Sequence, residues 1–222
     1  MSHPVSHPVT RAGSPLFLVA LRLEALTLRL GAAGVDWERI GMGPVRAVAA
    51  CSRISRHADR RPVVLVGCAG ALDPALRPGD LVVASSLVEV DRPGSVVPLA
   101  HADEVHARVQ AAPGIAGTGV AVHLAPIVSS PRILHGDEAR SLARRSGAAV
   151  DMESLWCAPL GRTRPFAVVR SILDVPGKDL FTLSTAAVAL RSARSLAAAA
   201  RALASWHPGS LESDTLMEIG ER

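Results

Sequence analysis

Short apolar runs alternate with segments of helical period along most of the chain, and this alternation constrains the fold more than any other feature. Runs typical of β-strands cover residues 16–20, 63–66, 81–90, 120–124 and 166–172. Segments of helical period cover 24–30, 45–55, 102–110, 137–145, 153–160 and 186–206. Strands that alternate with helices form βαβ units around a mostly parallel, buried sheet. The run 81–90 is long and gains polar residues toward its end, which is typical of an edge or bent strand.

The two ends of the chain differ from this pattern. A doubled Ser-His-Pro-Val followed by Gly13-Ser14-Pro15 predicts a disordered leader at 1–14, and the polar stretch 207–222 predicts a flexible tail. One domain is expected at 15–206.

Composition excludes several classes of protein. The chain is 49% hydrophobic, too apolar for disorder throughout, and its apolar runs are too short to span a membrane. The N-terminus lacks the basic-then-apolar order of a signal peptide. Three cysteines (Cys51, Cys68 and Cys157) indicate neither a disulfide framework nor a zinc site. We therefore expect a reduced, cytoplasmic protein without a metal.

The net charge of +4 does not point to nucleic acid as a partner. Nearly all of the positive charge is arginine, with Lys178 the sole lysine. The densest basic stretch, 53–61, has no aromatic residues interleaved, so a solvated helix end explains it better than a nucleic-acid surface.

Glycines and carboxylates follow several of the apolar runs, where α/β sheets bind ligands. Glu24 follows the first run, Gly67-Cys68-Ala69-Gly70 follows the second, Asp151-Met152-Glu153 follows a short run at 148–150, and Asp174 follows the last. Each has a purely structural alternative: a tight strand exit for the glycines, a helix-dipole acid for Glu153 and a turn cap for Asp174.

The turn Gly41-Met42-Gly43 hints at a nicotinamide-dinucleotide fingerprint. The third glycine is missing, however, and Asp59, the acid at the expected distance, lies in a basic loop. A nicotinamide-dependent oxidoreductase therefore stays only as an alternative.

Taken together, these motifs resemble the purine nucleoside phosphorylase and nucleosidase superfamily over residues 16–205. The resemblance rests on five motifs in the family's order: Ala20-Leu21-Arg22-Leu23-Glu24, Gly41-Met42-Gly43-Pro44, Val66-Gly67-Cys68-Ala69-Gly70-Ala71-Leu72 followed by Pro78-Gly79-Asp80-Leu81-Val82-Val83, Val150-Asp151-Met152-Glu153-Ser154, and Val169-Arg170-Ser171-Ile172-Leu173-Asp174. The first is similar to methylthioadenosine/S-adenosylhomocysteine nucleosidases. The last two look closest to the hopanoid-associated nucleosidase/phosphorylase branch. The resemblance implies a single three-layer α/β domain with a central mixed β-sheet flanked by helices, as in nucleoside phosphorylases.

The resemblance also implies an activity: cleavage of the N-ribosidic bond of an adenine-type nucleoside that carries a 5′ substituent. It assigns Glu24 to activate water, Asp174 to assist the leaving base, Glu153 to hold the ribose hydroxyls and Met152 to pack on the sugar. The other substrate-binding residues that it implies are Cys68, Ala69, Gly70, Ile133 and Leu173. No cofactor is implied, and a homo-oligomer is expected.

Departures from the family pattern bear on the co-substrate. Leu65 and Cys68 stand where phosphorylases place a phosphate-binding Arg and Ser, and Arg22 and Arg46 are the only arginines expected nearby. Hydrolysis is therefore favoured, with phosphorolysis to ribose-1-phosphate as the alternative.

Two further departures concern the base. Leu173 replaces a supporting Ser or Thr, and Ile133 stands where the family stacks a Phe. A nucleoside-binding protein without catalysis is therefore a third possibility. Methylthio, homocysteinyl and hopane groups all stay open at the 5′ position.

Overall fold

The computed structural model describes residues 13–134, 147–174 and 184–208, and it gives the backbone alone at 174, 184 and 185. Eight strands lie in this part of the chain: β1 Leu16–Val19, β2 Asp36–Arg39, β3 Val63–Ala71, β4 Leu81–Glu89, β5 Arg92–Pro98, β6 Val122–Ser129, β7 Ala149–Asp151 and β8 Phe166–Asp174. The helices of the same part are α1 Arg22–Gly31, α2 Pro44–Ser55, α3 Ala102–Gln110, α4 Ser154–Cys157, a 3₁₀ segment Ala158–Arg162, and α5 Ser184–Leu203.

The strands form one mixed sheet, as predicted. Its order is β2-β1-β3-β7-β6-β4-β5, with β8 paired to both β3 and β4. Parallel pairs join β1 to β2 and β3, β3 to β8, and β6 to β4 and β7, whereas β3–β7, β4–β5 and β4–β8 are antiparallel. Because β8 bridges β3 and β4, the strands β3, β7, β6, β4 and β8 close into a ring, a feature that the alternating pattern did not predict.

Alternation along the strands divides the core into two layers. In β3, Val63 and Leu65 pack on one side with α2 and the 3₁₀ segment, and Val64 and Val66 pack on the other side with α1, α3 and α5. Successive side chains of a strand point to opposite faces, so a strand that is apolar throughout is covered on both. The predicted three-layer arrangement is confirmed.

Several boundaries differ from the predicted ones for physical reasons. The predicted strand 63–66 continues to Ala71 because Gly67 and Gly70, which interrupt the apolar pattern, still pair with β8. The predicted helix 153–160 is α4 followed by the 3₁₀ segment, which contains Pro159; proline lacks the N–H that a continuing α-helix needs. Strand β4 shows a register shift between Ala84 and Leu87, in agreement with the predicted bend.

Strand β5 was missed by sequence reasoning. Its residues are almost all exposed, and Pro93, Gly94 and Pro98 interrupt any period-two pattern. Sequence patterns detect burial, so an exposed hairpin strand gives little signal.

Some predictions fall outside what the structure tests. The predicted helix 137–145 lies outside the described residues. The leader 1–14 and the tail 207–222 lie largely outside them, and the domain limits 15–206 stay predictions. None of the helices in the described ranges is long and apolar enough to cross a membrane.

The topology brings distant segments to one end of the sheet. Strands β1, β3 and β8 run parallel, with Leu16, Val63 and Phe166 aligned near their starts, so their carboxyl ends point the same way. Strand β7 then meets the end of β3, with Gly70 opposite Val150. Residues that follow these strands therefore gather in one place.

Candidate active site

A cavity of about 260 Å³ lies where these strand ends meet. It is lined by Ala20, Leu21, Glu24, Met42, Cys68, Ala69, Gly70, Arg132, Ile133, Leu134, Val150, Asp151, Met152, Glu153 and Leu173. The structure thus brings together all of the site residues expected from the sequence except Asp174. The backbone of Asp174 ends β8 beside Leu173, opposite Gly70 in register, and its side chain lies outside the described part.

Glu24 is held by backbone donors from two strand exits. Its Oε2 accepts hydrogen bonds from the N–H groups of Ala20 and Leu21, both at 2.9 Å, and its Oε1 accepts one from the Cys68 N–H at 2.8 Å. The residue is buried. Leu21 is the N-cap of α1, so Glu24 also closes the helix start. Three donors fix the position of this carboxylate before any ligand arrives.

Glu153 spans the gap between two helix starts. It is the N-cap of α4, and its Oε1 accepts a hydrogen bond at 3.0 Å from the N–H of Gly43, the N-cap of α2. Gly43 has φ +87°, which glycine adopts without strain. The acid therefore serves the start of α2 rather than the dipole of its own helix, and the glycine turn holds Glu153.

Burial raises the pKa of Glu153 above its ordinary value of 4.5, Arg170 opposes this shift, and Asp151 adds to it.

Arg170 is the site residue that sequence reasoning missed. It lies within β8 with no exposed surface. Its Nε donates to Asp151 Oδ2 at 2.8 Å, and its Nη2 lies 2.6 Å from the same oxygen, 3.4 Å from Glu153 Oε2 and 3.1 Å from Ser154 Oγ. Burial acts to lower the pKa of Arg170, but Asp151, Glu153 and Glu24 outweigh burial and hold that pKa above its usual range. The available signal was an arginine inside an apolar strand.

The remaining Arg170 nitrogen lies close to Glu24. Nη1 is buried and has no hydrogen-bond partner among the described residues. A Cβ built on Gly67 would lie 2.3 Å from this Nη1 and 2.7 Å from Glu24 Oε1. Both groups therefore occupy the space that a side chain at position 67 would need. One donor and one acceptor thus converge beside Gly67, and the acceptor belongs to Glu24, which lines the cavity.

The expectation that Arg22 and Arg46 are the only arginines near the site is wrong. Both are exposed and neither lines the cavity, whereas Arg132 lines its wall and the buried Arg170 lies against Glu24 and Glu153, which line it. Arg170 was overlooked because an inward-facing charge cannot be recognised without its partners.

The cavity is acidic at its floor and apolar at its mouth. Leu21, Met42 and Ile133 line it and are 38%, 45% and 59% exposed. Among the described residues there is no group of three or more His, Cys, Asp or Glu that could hold a metal ion. The arrangement suits a ligand with hydroxyl groups at one end and an apolar group at the other.

Comparison with known proteins decides the family. The model of the phosphorylase superfamily matches residues 14–204. The chain belongs to that superfamily. The predicted family and fold are therefore confirmed, and no curated protein sequence matches the chain significantly.

Solved structures share the fold at low sequence identity. The futalosine hydrolase of Helicobacter pylori is 20% identical, with a TM-score of 0.70 over 85% of this chain and 96% of that one. The 5′-methylthioadenosine/S-adenosylhomocysteine nucleosidase of H. pylori, bound to butyl-thio-DADMe-Immucillin-A, is 21% identical, with a TM-score of 0.69 and the same coverage. The nucleosidase of Neisseria meningitidis bound to methylthio-immucillin-A is 22% identical, with a TM-score of 0.66 over 85% and 99%.

A side chain at position 67 should disturb the floor of the cavity. We expect Gly67→Ala to lower the free energy of unfolding by about 1–3 kcal/mol, because its Cβ would collide with the buried side chains of Arg170 and Glu24, which other hydrogen bonds hold in place. Urea unfolding measures this change. Gly94→Ala, where a Cβ would meet nothing within 4 Å, is the control and should stay within about 0.5 kcal/mol of the parent protein. Equal stability of the two variants would contradict the packing described here.

The raised pKa of Glu153 predicts the pH dependence of stability. The folded protein binds this proton more tightly than the unfolded chain, so the contribution of Glu153 is complete below pH 4.5 and is lost as the pH rises through the raised value. We therefore expect the stability of Glu153→Gln, relative to the parent, to increase between about pH 4.5 and pH 8. Urea unfolding across this range tests it, with the exposed Asp91→Asn as control. A constant difference between Glu153→Gln and the parent would contradict it.

Proposed function

We propose that the protein hydrolyses the N-ribosidic bond of a purine nucleoside of the adenine type that carries a 5′ substituent. The observation that carries the proposal is the pair of carboxylates in the cavity wall, those of Glu24 and Glu153, each held by backbone N–H donors and both close to the buried Arg170 guanidinium. The solved relatives, which are a futalosine hydrolase and nucleosidases, support the same class of reaction.

The chemistry requires an acceptor for a proton of water and a hold on the sugar. Water attacks C1′ while the bond from C1′ to the base nitrogen breaks through an oxocarbenium-like state, as in glycoside cleavage. Glu24 takes a proton from this water, and the base leaves with the bonding electrons. Glu153 accepts hydrogen bonds from the ribose hydroxyls, and Met152 packs against the sugar. The products are the free base and a 5-substituted ribose.

The leaving base also needs a proton or a hydrogen bond at its N7. We assign this role to Asp174, on the family resemblance and on its backbone position beside the cavity residue Leu173. Cys68, Ala69, Gly70 and Ile133 line the same cavity and are assigned to contact the substrate.

Charge at the cavity favours water over phosphate as the co-substrate. Three carboxylates, those of Glu24, Asp151 and Glu153, line the cavity, whereas Arg132 is the one arginine that lines it among the described residues. Arg170 is buried, and its Nε and Nη2 already serve Asp151 and Glu153. Leu65, at the position where phosphorylases carry a phosphate-binding arginine, is fully buried in the core. A phosphate dianion would therefore meet more negative than positive charge.

An apolar 5′ group fits the mouth of the cavity best. Leu21 and Met42 stand at the mouth, and Leu23 and Leu26 of α1 continue the exposed apolar surface. A methylthio group or a longer hydrocarbon, as in an adenosylhopane, could bury this surface, whereas a homocysteinyl group would bring two charges to it.

Exposed apolar side chains on α1 and α2 support a homo-oligomer. Leu30 and Val45 are 75% and 81% exposed, and association with a second copy would bury them. The three free cysteines fit a reducing compartment, and we assign the protein to the cytoplasm.

A substrate panel with and without phosphate tests the function directly. We expect free adenine and ribose products from 5′-alkylthioadenosines at rates that phosphate does not change. A requirement for phosphate, with ribose-1-phosphate as product, would support phosphorolysis instead. Nucleoside binding without base release would support the non-catalytic alternative.

Glu24 should be essential for the rate. Glu24→Gln keeps the shape but cannot take a proton, so kcat should fall by roughly 10²–10⁴-fold. Steady-state base release measures this change, and Asp103→Asn, an exposed substitution on α3, is the matched control. Normal turnover by a folded Glu24→Gln protein would refute hydrolysis through this carboxylate.

Asp174→Asn separates catalysis from a structural role. The amide donates a hydrogen bond but transfers no proton, so kcat should fall by roughly 10²–10⁴-fold while KM changes little. If Asp174 only caps a turn, the variant should instead lose about 1 kcal/mol of stability and turn over normally. Kinetics and urea unfolding of the same preparation distinguish the two outcomes.

A further inference from the structure

A second cavity, of about 480 Å³, is lined in part by Leu155 of α4. Its walls come from the end of β5, the loop that leads to α3, the 3₁₀ segment and the residues just before β8, and it shares no lining residue with the first cavity. Val97, Leu99, Leu155 and Phe166 make much of its wall apolar. Its volume is within the range of about 300–1,000 Å³ that is usual for small-molecule sites.

Arg164 is a buried cation in the wall of this cavity. It is 5% exposed, and its Nη2 donates a hydrogen bond to the carbonyl oxygen of Ile54 at 3.1 Å. Its Nε is buried and has no hydrogen-bond partner among the described residues. A buried charge is costly unless an opposite charge or several hydrogen bonds compensate it.

The charges around Arg164 leave it without a carboxylate partner in the described part of the chain. Burial and the nearby Arg60 lower the pKa of Arg164, and Asp59 opposes this shift. Asp59 is already paired with another arginine, because its Oδ2 lies 2.9 Å from Arg61 Nε. Arg162, on the 3₁₀ segment, adds another positive charge to the cavity wall. An anion in the cavity would supply the missing opposite charge.

From the cavity, its apolar wall and its unpaired buried guanidinium, we infer that this is a binding site for an aliphatic carboxylate of medium chain length. The carboxylate group binds at Arg164 and Arg162, where a guanidinium offers paired N–H donors. The hydrocarbon chain lies against Leu99, Leu155 and Phe166. The carboxylate matches the arginines of the wall and the hydrocarbon chain matches its apolar residues. A nucleoside lacks the negative charge, and a bare inorganic anion lacks the apolar part.

Isothermal titration with three probes tests the inference on the intact protein. Octanoate carries both features, acetate only the charge and octan-1-ol only the chain. We expect octanoate to bind at least tenfold more tightly than either of the others. Equal binding of octanoate and octan-1-ol, or no binding of octanoate, would overturn the inference.

Substitutions identify the place of binding. Arg164→Gln should weaken octanoate binding at least tenfold and leave octan-1-ol binding unchanged. Arg164 also donates a hydrogen bond to Ile54, so circular dichroism is used to check that the Arg164→Gln variant folds. Arg162→Gln is a second variant that leaves this hydrogen bond intact. The exposed Arg56→Gln, outside the cavity wall, is the control and should bind octanoate as the parent does. Parent-like octanoate binding by both cavity variants would overturn the inference.

Two further measurements exclude other locations. Saturation with adenine, which we place in the first cavity, should leave octanoate binding unchanged, and displacement of octanoate by adenine would overturn the inference. Sedimentation of the protein should show the same oligomeric state with and without octanoate. If self-association instead abolishes octanoate binding, the cavity is covered by a second copy and the inference fails.

Discussion

The buried guanidinium of Arg170 is the interaction on which the site depends. Strand β8 carries it into the centre of the ring of strands, where it joins Asp151 and Glu153 and holds Ser154 at the start of α4. Removal of one partner from a buried ion pair typically costs about 3–5 kcal/mol, because the other charge is left uncompensated. The position of α4, and with it that of Glu153, therefore depends on one buried arginine in β8.

Backbone N–H groups do most of the remaining positioning. Ala20, Leu21 and Cys68 fix Glu24, and Gly43 fixes Glu153. Such donors belong to strand exits and helix starts that are rigid parts of the fold, so the carboxylates need little reorganisation when a ligand binds. The proposed chemistry thus depends on acidic side chains whose geometry is set by the main chain.

The apolar runs predicted most of the buried strands because burial depends on local pattern, whereas the three layers and some residues of the cavity wall, such as Ile133 and Leu173, were implied by the family resemblance. Apolar runs mark the buried strands, and residues that follow such runs, including Glu24 and Met152, gather at one end of a parallel sheet. Arg170 was missed because its role depends on carboxylates from other segments. The closure of the ring was missed because pairing of β8 with both β3 and β4 leaves no trace in periodicity.

The closed ring also limits where the sheet can recruit another chain. Along the described strand order, the outer positions belong to β2 and β5. Strand β2 carries Asp36 and Glu38, both paired with arginines, and β5 contains two prolines, which cannot donate to a neighbouring strand. Charges and prolines at outer strands discourage intermolecular strand addition. In the described strand order the ring therefore leaves only two outer strands, and both are poor templates for a strand from another chain.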